Sequence, residues 1–152
     1  MLIKTGDLQE YSIMEKILDF EITGGDFINA GDSTSIMKNY FKKIGLSAKI
    51  IKKILVASYE AELNVVAHAD KGTMEIFIND DKIIVEVEDE GPGIEDIEQA
   101  MKEGYSTASD EVREMGFGAG MGLPNIKRNS DDLEIKSEVN KGTRVKMVFN
   151  IG

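Results

Sequence analysis

The sequence predicts a two-layer α+β sandwich, in which helices pack on one face of a mainly antiparallel sheet. Two stretches with helical periodicity follow one another over residues 34–68. Two pairs of strand-like segments come later, at 74–88 and 133–151. Helices and strands therefore fall in blocks, which favours an antiparallel sheet. The chain has 152 residues, of which 41% are apolar, enough for the core of one domain over 1–152.

The first half of the chain is expected to hold one strand and two helices. Apolar positions alternate in MEKILDFEIT, which predicts a strand over residues 14–23. A turn-rich segment follows, and Asp32 or Ser33 is expected to cap a helix that ends at Gly45. Ser47 can then cap a second, longer helix. The two predicted helices cover residues 34–44 and 48–68.

The second half is expected to hold two hairpins. They lie on either side of a glycine-rich segment, 104–121, which has no steady period and is predicted to be a long loop. A helix is expected on each side of this loop. The predicted strands are 74–79, 82–88, 133–138 and 143–151, and the predicted helices are 94–103 and 122–130.

Composition excludes several classes of function. Lys and Arg number 18 against 28 Asp and Glu, and the net charge of −10 makes general nucleic-acid binding unfavourable. There is no cysteine and only one histidine, which excludes disulfide scaffolds, thiol nucleophiles and the usual structural zinc sites. No apolar run is long enough for a signal peptide or a membrane span, so the cytoplasm is the expected location.

Charge is distributed unevenly along the chain. Residues 38–53 contain six lysines and no acid, whereas residues 80–98 contain nine acids and one lysine. Such runs commonly form solvated faces. The basic run also fits a docking face for an acidic protein partner, and the sequence leaves both interpretations open.

One polar pair stands out in the second predicted helix. Glu60 and Asn64 are four residues apart, so they share one face of a helix whose remaining circumference is largely apolar. Carboxylate and amide oxygens are costly to bury without partners, and both are good ligands for Mg²⁺. An ion pair between Glu60 and Lys53, or a bond to the backbone, explains the position of Glu60 equally well.

Three glycine-containing motifs follow. Asp89 comes directly after a predicted strand, and Gly91 and Gly93 would let a flat base approach the backbone, although a plain turn has the same pattern. Glycines alternate over residues 116–122 before a predicted helix, which is typical of a phosphate cradle or of a flexible linker. The segment Lys-Gly-Thr, which ends at Thr143, precedes the last strand and by itself predicts only a turn.

The order of these motifs resembles the GHKL ATP-binding family, which includes gyrase, Hsp90, MutL, histidine kinases and the anti-sigma-factor kinases. Glu-x-x-x-Asn on a helix, Asp-x-Gly-x-Gly after a strand, a glycine-rich loop leading into a helix, and Gly-Thr follow one another over residues 33–152. The resemblance implies a Bergerat-type α/β sandwich, in agreement with the fold class above. It also implies that the protein uses ATP and Mg²⁺.

The resemblance implies roles for individual residues as well. Asn64 would be the Mg²⁺ ligand, Asp89 would bind the adenine amine, and Glu60 would be the general base of a serine kinase. Segment 104–121 would be the ATP lid, and residues 1–31 an N-terminal extension with the first strand. The other expected nucleotide contacts are Gly91, Gly93, Gly118, Gly120, Gly122, Leu123 and Thr143.

Within this family the chain is especially similar to the small switch kinases of bacterial stress-response modules, which share Gly122-Leu123-Pro124 and Lys127-Arg128. The resemblance implies a serine/threonine protein kinase that phosphorylates a small STAS-domain antagonist. The alternative is a nucleotide-gated module that holds a sigma factor or another regulator, with little or no kinase activity. A homodimer is possible, and no nucleic acid or membrane partner is expected. Glu60 argues against a third option, the detached ATP-binding half of a two-component kinase, since histidine kinases typically carry Asn there.

Overall fold

The computed structural model describes residues 13–102 and 122–152, which contain five strands and four helices. In chain order they are β1 (Glu15–Thr23), α1 (Asp32–Lys43), α2 (Ala48–His68), β2 (Lys71–Ile78), β3 (Lys82–Glu90), α3 (Ile97–Ala100), α4 (Gly122–Asn129), β4 (Asp132–Glu138) and β5 (Gly142–Asn150). Every predicted strand and helix is present, with ends that differ by at most three residues. The predicted lid, 104–121, lies outside the described residues.

The five strands form one antiparallel sheet in the order β1-β2-β3-β5-β4. In the β2–β3 pair, Gly72 lies opposite Asp89. In the β4–β5 hairpin, Ser137 lies opposite Thr143. Because β5 is inserted between β3 and β4, the start of β5 comes to lie beside the end of β3. Motifs that are 54 residues apart in sequence therefore meet at one end of the sheet.

The main core lies between the sheet and the helices, as the predicted two-layer sandwich requires. Helix α2 packs across β1, β2, β3 and β5, and α4 packs against α2 and β4. Burying this apolar area provides the main stabilisation of the layer, at about 25 cal/mol per Å². The core side chains from α2 and from the strands include Ile54, Ala57, Ala61, Val65, Met74, Ile76, Val85, Met147 and Phe149.

The opposite face of the sheet is more polar. It carries a smaller apolar cluster of Met14, Phe77, Ile84 and Val148. Next to this cluster, Arg144 donates to the carboxylate of Glu86, whose side chain is buried. Sheets with one face packed on helices and one largely polar face are typical of antiparallel α+β folds.

Helix α1 begins in a way that the sequence did not predict. Gly31, with φ of 99°, takes the N-cap position, and neither Asp32 nor Ser33 caps the helix with its own side chain. The donors at this helix start are instead satisfied by Glu62 of α2. Its carboxylate accepts from Gly31 N–H at 2.9 Å and from the Ser33 hydroxyl at 3.0 Å. Glu62 is only 6% exposed, so this pair of bonds fixes α1 to α2 inside the core.

The other helix starts follow local rules. The Ser47 side chain accepts from Ile50 N–H at 3.2 Å, which confirms the predicted cap of α2. The Asp96 carboxylate accepts from Gln99 N–H at 3.1 Å and starts α3. Helix α3 is shorter at its start than predicted because the backbone N–H of Ile94 donates to the Ser137 hydroxyl at 2.8 Å, outside any helix.

Candidate functional site

Helix α2 carries the first part of the candidate site. Glu60 and Asn64 are half-buried and lie on the same face of the helix, as the four-residue spacing predicts. The adjoining face of α2 is packed in the core, where Ala61 and Val65 are buried. This packing holds the helix rigidly, so the two polar side chains project from a fixed support.

The start of α4 lies against these two side chains. A Cβ atom built on Gly122 would be 3.1 Å from Asn64 Oδ1 and 3.5 Å from Glu60 Oε2. A carboxylate oxygen and an amide oxygen therefore converge on the first residue of a helix that follows the glycine-rich segment. Two hard oxygen atoms next to a helix N-terminus suit a magnesium-bound phosphate.

Asn125 is a site residue that the sequence analysis did not single out. Its side-chain Nδ2 lies 3.5 Å from Glu60 Oε1, and Arg128 donates to its Oδ1 at 2.5 Å. The ion pair of Glu60 with Lys53, one of the alternatives that the sequence left open, does not occur among the described residues, where Asn125 is a partner of Glu60. The signal in the sequence was the spacing Asn125-x-x-Arg128, which places two polar side chains on one face of α4.

Asp89 forms the second part of the site, at the end of β3. Its Oδ1 accepts from the backbone N–H of Thr143 at 3.1 Å. Burial raises the pKa of the Asp89 carboxyl, while the hydrogen bond from Thr143 opposes this rise and the nearby Glu88 adds to it. A half-buried carboxylate with one oxygen already engaged is suited to accept one further donor from a ligand.

Glycine is required at three positions around Asp89. A Cβ at Gly142 would be 1.9 Å from the Asp89 carbonyl oxygen, and a Cβ at Gly91 would be 2.9 Å from Ala69. At Gly93, where φ is 74°, a Cβ would be 2.4 Å from the Glu138 carbonyl oxygen. These contacts show that Gly91 and Gly93 have a structural function, because they allow three chain segments to pack closely at Asp89.

Ser137 joins β4 to this part of the site and was also missed from the sequence. Its hydroxyl lies 2.8 Å from the Thr143 hydroxyl and accepts from Ile94 N–H at 2.8 Å. The chain that follows Gly93 is thereby fixed to the β4–β5 hairpin. Only the register of that hairpin places Ser137 opposite Thr143, so the sequence alone gave no signal.

The two parts of the site are joined through the end of α2. The backbone N–H of Asp70 donates to the Glu90 carbonyl at 2.9 Å. A Cβ at Gly72 would be 3.0 Å from Val65 Cγ1 and 3.3 Å from Asp89 Cβ. Val65, the residue that follows Asn64, thus packs beside the strand position opposite Asp89, so the helix part and the sheet part of the site are neighbours in the fold.

His68, one turn beyond Asn64, closes α2. Burial lowers the pKa of its imidazole, so the neutral form is favoured in the folded protein.

Gly118 and Gly120 were also predicted to belong to the site, and both lie outside the described residues. Leu123 is buried at the start of α4, where it packs in the core next to Gly122.

Residues 31–149 match the family of histidine kinase-like ATPase domains. The chain belongs to this family. The match spans every site residue named above and confirms the resemblance of the chain to the GHKL proteins. Nucleotide use is a property of this family.

Two relatives show which part of the family is similar to this chain. The domain is 35% identical over 129 residues to the anti-sigma F factor of Caldanaerobacter subterraneus subsp. tengcongensis, covering 82% of this chain and 87% of the relative. It is 30% identical over 115 residues to the serine/threonine-protein kinase RsbT of Bacillus subtilis, covering 73% and 80%. The histidine kinase-like domain described here is thus similar to regulators and kinases of the GHKL type.

Solved structures show the same fold. A chain of the SiaB–SiaC complex from Pseudomonas aeruginosa superposes with a TM-score of 0.64 at 14% identity, covering 93% of this chain and 94% of that one. The RsbU and RsbW domains of Rv1364c from Mycobacterium tuberculosis give a TM-score of 0.56 at 16% identity, over 88% of this chain and 32% of the longer one. In the described ranges, no helix of this domain has the length and apolar character needed to cross a membrane.

Proposed function

We propose that this domain is an ATP-dependent serine/threonine protein kinase of the anti-sigma and switch type, and that it phosphorylates a small STAS-domain regulatory protein. The observation that carries the proposal is the convergence of the Glu60 carboxylate and the Asn64 amide on Gly122. Phosphoryl transfer to a hydroxyl needs a proton acceptor and a magnesium-bound phosphate at one point. The similarity to RsbT, a named serine/threonine-protein kinase, supports the proposal.

In this proposal the adenine binds at the end of β3. Thr143 N–H occupies Asp89 Oδ1, so Oδ2 is the oxygen offered to the exocyclic amine of adenine. Gly91 and Gly93 are proposed to shape the adenine pocket, because they let the chain pack closely around Asp89. The proposed phosphate-facing groups are the lid 104–121, with Gly118 and Gly120, and the start of α4, with Gly122 and the backbone of Leu123, whose side chain is buried in the core. Asp89→Asn should weaken ATP binding by about 10- to 100-fold, since hydrogen bonds to charged groups contribute about 1.5–3 kcal/mol.

Asn64 is proposed to hold the Mg²⁺ ion. The fit rests on the donor chemistry, because the Asn64 and Glu60 oxygens meet at the same position beside Gly122. No cluster of three or more acidic or histidine side chains able to hold a metal occurs in residues 13–102 and 122–152. A single amide ligand from the protein would be enough for Mg²⁺, which usually takes its other ligands from phosphate and water oxygens. The ion would neutralise part of the phosphate charge. Asn64→Ala should abolish the Mg²⁺-dependent part of ATP binding.

Glu60 is proposed to be the general base. It would accept the proton of a serine or threonine hydroxyl as the hydroxyl oxygen bonds to the γ-phosphorus. The bond from that phosphorus to the β–γ bridging oxygen breaks, and ADP leaves. The remaining contribution of the protein is to position the reactants and to neutralise charge.

The deciding experiment is phosphoryl transfer from γ-labelled ATP, with Mg²⁺, to purified small STAS-domain proteins of the same organism. The wild type should label a serine or threonine, and Glu60→Gln should lower the rate by about 10²- to 10⁴-fold. Glu60→Gln should still bind ATP within about twofold, and the exposed Glu98→Gln provides the matched control for loss of a carboxylate. If ATP binds but no protein is labelled, the kinase proposal is wrong.

A second candidate is a nucleotide-gated module that sequesters a sigma factor or another regulator. The relatives named anti-sigma F factor favour it, as does the surface where α1 ends and α2 begins. Lys42, Lys43 and Lys49 are exposed there, and Ile44, between the two helices, is 42% exposed. Lysines around an exposed apolar side chain suit an acidic partner.

Charge reversal of Lys42, Lys43 and Lys49 to Glu tests this surface. Binding of the sigma factor or STAS protein should be lost, whereas ATP affinity should stay within about twofold, because the lysines lie outside the proposed nucleotide site. Retained partner binding would show that the docking surface lies elsewhere. A second copy of the chain is a further proposed partner, and sedimentation of the purified protein with and without ATP measures that association.

A further inference from the structure

The start of α4 holds a chain of polar contacts that leads to Glu60. Arg128 donates to Asn125 Oδ1 at 2.5 Å, and Asn125 Nδ2 lies 3.5 Å from Glu60 Oε1. Asn125 is half-buried, and Leu123 and Ile126 on either side of it are buried in the core. The backbone of Asn125 is also held, because the Asn129 side chain donates to its carbonyl at 2.8 Å. The Asn125 side chain therefore projects from a fixed point toward α2.

The chemistry of the two neighbours fixes the orientation of the Asn125 amide. A guanidinium group can only donate hydrogen bonds, so the atom of Asn125 that meets Arg128 must be the oxygen. The amide nitrogen then faces Glu60, and an ionised carboxylate can only accept. Donation thus runs in one direction, from Arg128 through Asn125 to Glu60. A flipped amide would place a donor against a donor and an acceptor against an acceptor.

The consequence concerns the two oxygens of Glu60. Oε1 faces Asn125, while Oε2 is directed to the start of α4, 3.5 Å from a Cβ position at Gly122, where Asn64 Oδ1 also converges. We propose that Asn125 is a positioning residue, oriented by Arg128, that holds Glu60 with Oε2 toward the reacting hydroxyl. This proposal rests on the proposed kinase function. The 3.5 Å separation suits such a role, because catalytic hydrogen bonds are often long before substrate binds.

Kinetics of variants test the positioning role. Asn125→Ala should lower kcat by about 10- to 100-fold, which is less than the loss expected when the general base itself is removed. The KM for ATP should stay within about twofold of the wild-type value. Asn125→Gln, which restores an amide on a longer side chain, should recover part of the rate. Arg128→Gln should lower kcat by about 3- to 10-fold, while the exposed neighbour Lys127→Gln should leave kcat unchanged.

A double-mutant cycle separates positioning from general loss of structure. In single-turnover experiments on the Glu60→Gln background, Asn125→Ala should change the residual rate by less than about twofold, since Asn125 acts through Glu60. An equal loss in both backgrounds, or a loss of ATP affinity and thermal stability together, would show a merely structural role and overturn the proposal. Unchanged kcat in Asn125→Ala would also overturn it.

A readout without activity keeps this inference distinct from the proposed function. The side-chain amide of Asn125 gives a pair of ¹⁵N–¹H resonances, identified by their loss in Asn125→Ala. Glu60→Gln and Arg128→Gln should each shift these resonances, and Lys127→Gln should not. Unshifted resonances would show that the contacts do not form, whatever the activity. Shifted resonances in a wild type that transfers no phosphate would support the contact and refute the proposed function and the catalytic role together.

Discussion

Glu62 provides the sharpest test of how the core holds the site, because one buried carboxylate satisfies two donors at the start of α1. Its oxygens accept from Gly31 N–H at 2.9 Å and from the Ser33 hydroxyl at 3.0 Å. Glu62→Ala leaves both donors without this acceptor, and each unsatisfied buried donor costs about 1–3 kcal/mol. Since Gly31 is only half-buried, we expect a total loss of about 2–4 kcal/mol. For a chain of this size that lowers the unfolding midpoint by about 4–16 °C.

The isosteric change Glu62→Gln should behave differently. The Gln oxygen can accept from Gly31 N–H, and the Gln amide can donate to the Ser33 hydroxyl oxygen, because a hydroxyl accepts as well as donates. Both contacts are then kept and no charge is buried. We expect the free energy of unfolding of Glu62→Gln at neutral pH to stay within about 1 kcal/mol of the wild-type value.

The pH dependence of this comparison has a definite sign. Burial raises the pKa of Glu62 above the ordinary value of 4.5, against the opposing hydrogen bonds from Gly31 and Ser33. The folded state therefore keeps this proton to higher pH than the unfolded chain. The carboxyl stabilises the fold most below pH 4.5, and this contribution is lost as the pH rises through the raised pKa. Glu62→Gln cannot titrate, so its stability relative to the wild type should improve from acid to neutral pH.

Urea unfolding followed by far-UV circular dichroism, at several pH values, measures both effects. Lys52→Ala, an exposed substitution on the same helix, is the matched control and should stay within about 0.5 kcal/mol of the wild type. The reasoning is refuted if Glu62→Ala unfolds at the same urea concentration as Lys52→Ala. A parallel pH dependence of the wild type and Glu62→Gln would refute the assigned titration.

Two further predictions concern the turn beside Asp89 and the end of α2. Gly93→Ala combines a φ of 74° with a Cβ only 2.4 Å from a carbonyl oxygen, so it should lower the free energy of unfolding in urea by more than about 3 kcal/mol. The control Gly45→Ala, with φ of 86° and open space around the new Cβ, should lower it by only about 1–2 kcal/mol. Equal losses would contradict the steric argument. Burial lowers the pKa of His68 from 6.5, so stability should be full above pH 6.5 and fall as the pH drops through the lowered pKa. His68→Gln should remove that decline, and an unchanged pH profile in this variant would exclude His68 as its source.

The fold was predictable where short-range signals determine it. Ser47 caps α2 with a contact to a residue three positions away, and the strands follow from alternation of apolar residues. The start of α1 was predicted wrongly because the acceptor for Gly31 N–H comes from 31 residues further along the chain. The sequence did carry a signal that Glu62 is buried, because Glu62 lies four residues from Ser58 and from Val66, and both of these are buried in the core face of α2.

The motifs of the candidate site were predictable from the sequence, whereas the contacts between residues far apart in the chain were not. Glu60, Asn64 and Asp89 follow from spacing and from the resemblance to the family. Asn125 lies 65 residues from Glu60 in sequence, and only the packing of α4 on α2 brings the two together. Ser137 likewise depends on hairpin register, which local patterns do not determine.

Two carboxylates on α2 make it possible to separate stability from chemistry. Glu60 and Glu62 are two residues apart, so they project from nearly opposite faces of one helix, the first toward α4 and the second into the core. Glu62→Ala should therefore lower the unfolding midpoint, whereas Glu60→Gln should leave it unchanged and lower only phosphoryl transfer. If Glu60→Gln destabilised the fold as much as Glu62→Ala, its carboxylate would be a structural group. The loss of transfer in Glu60→Gln would then no longer count in favour of a catalytic base.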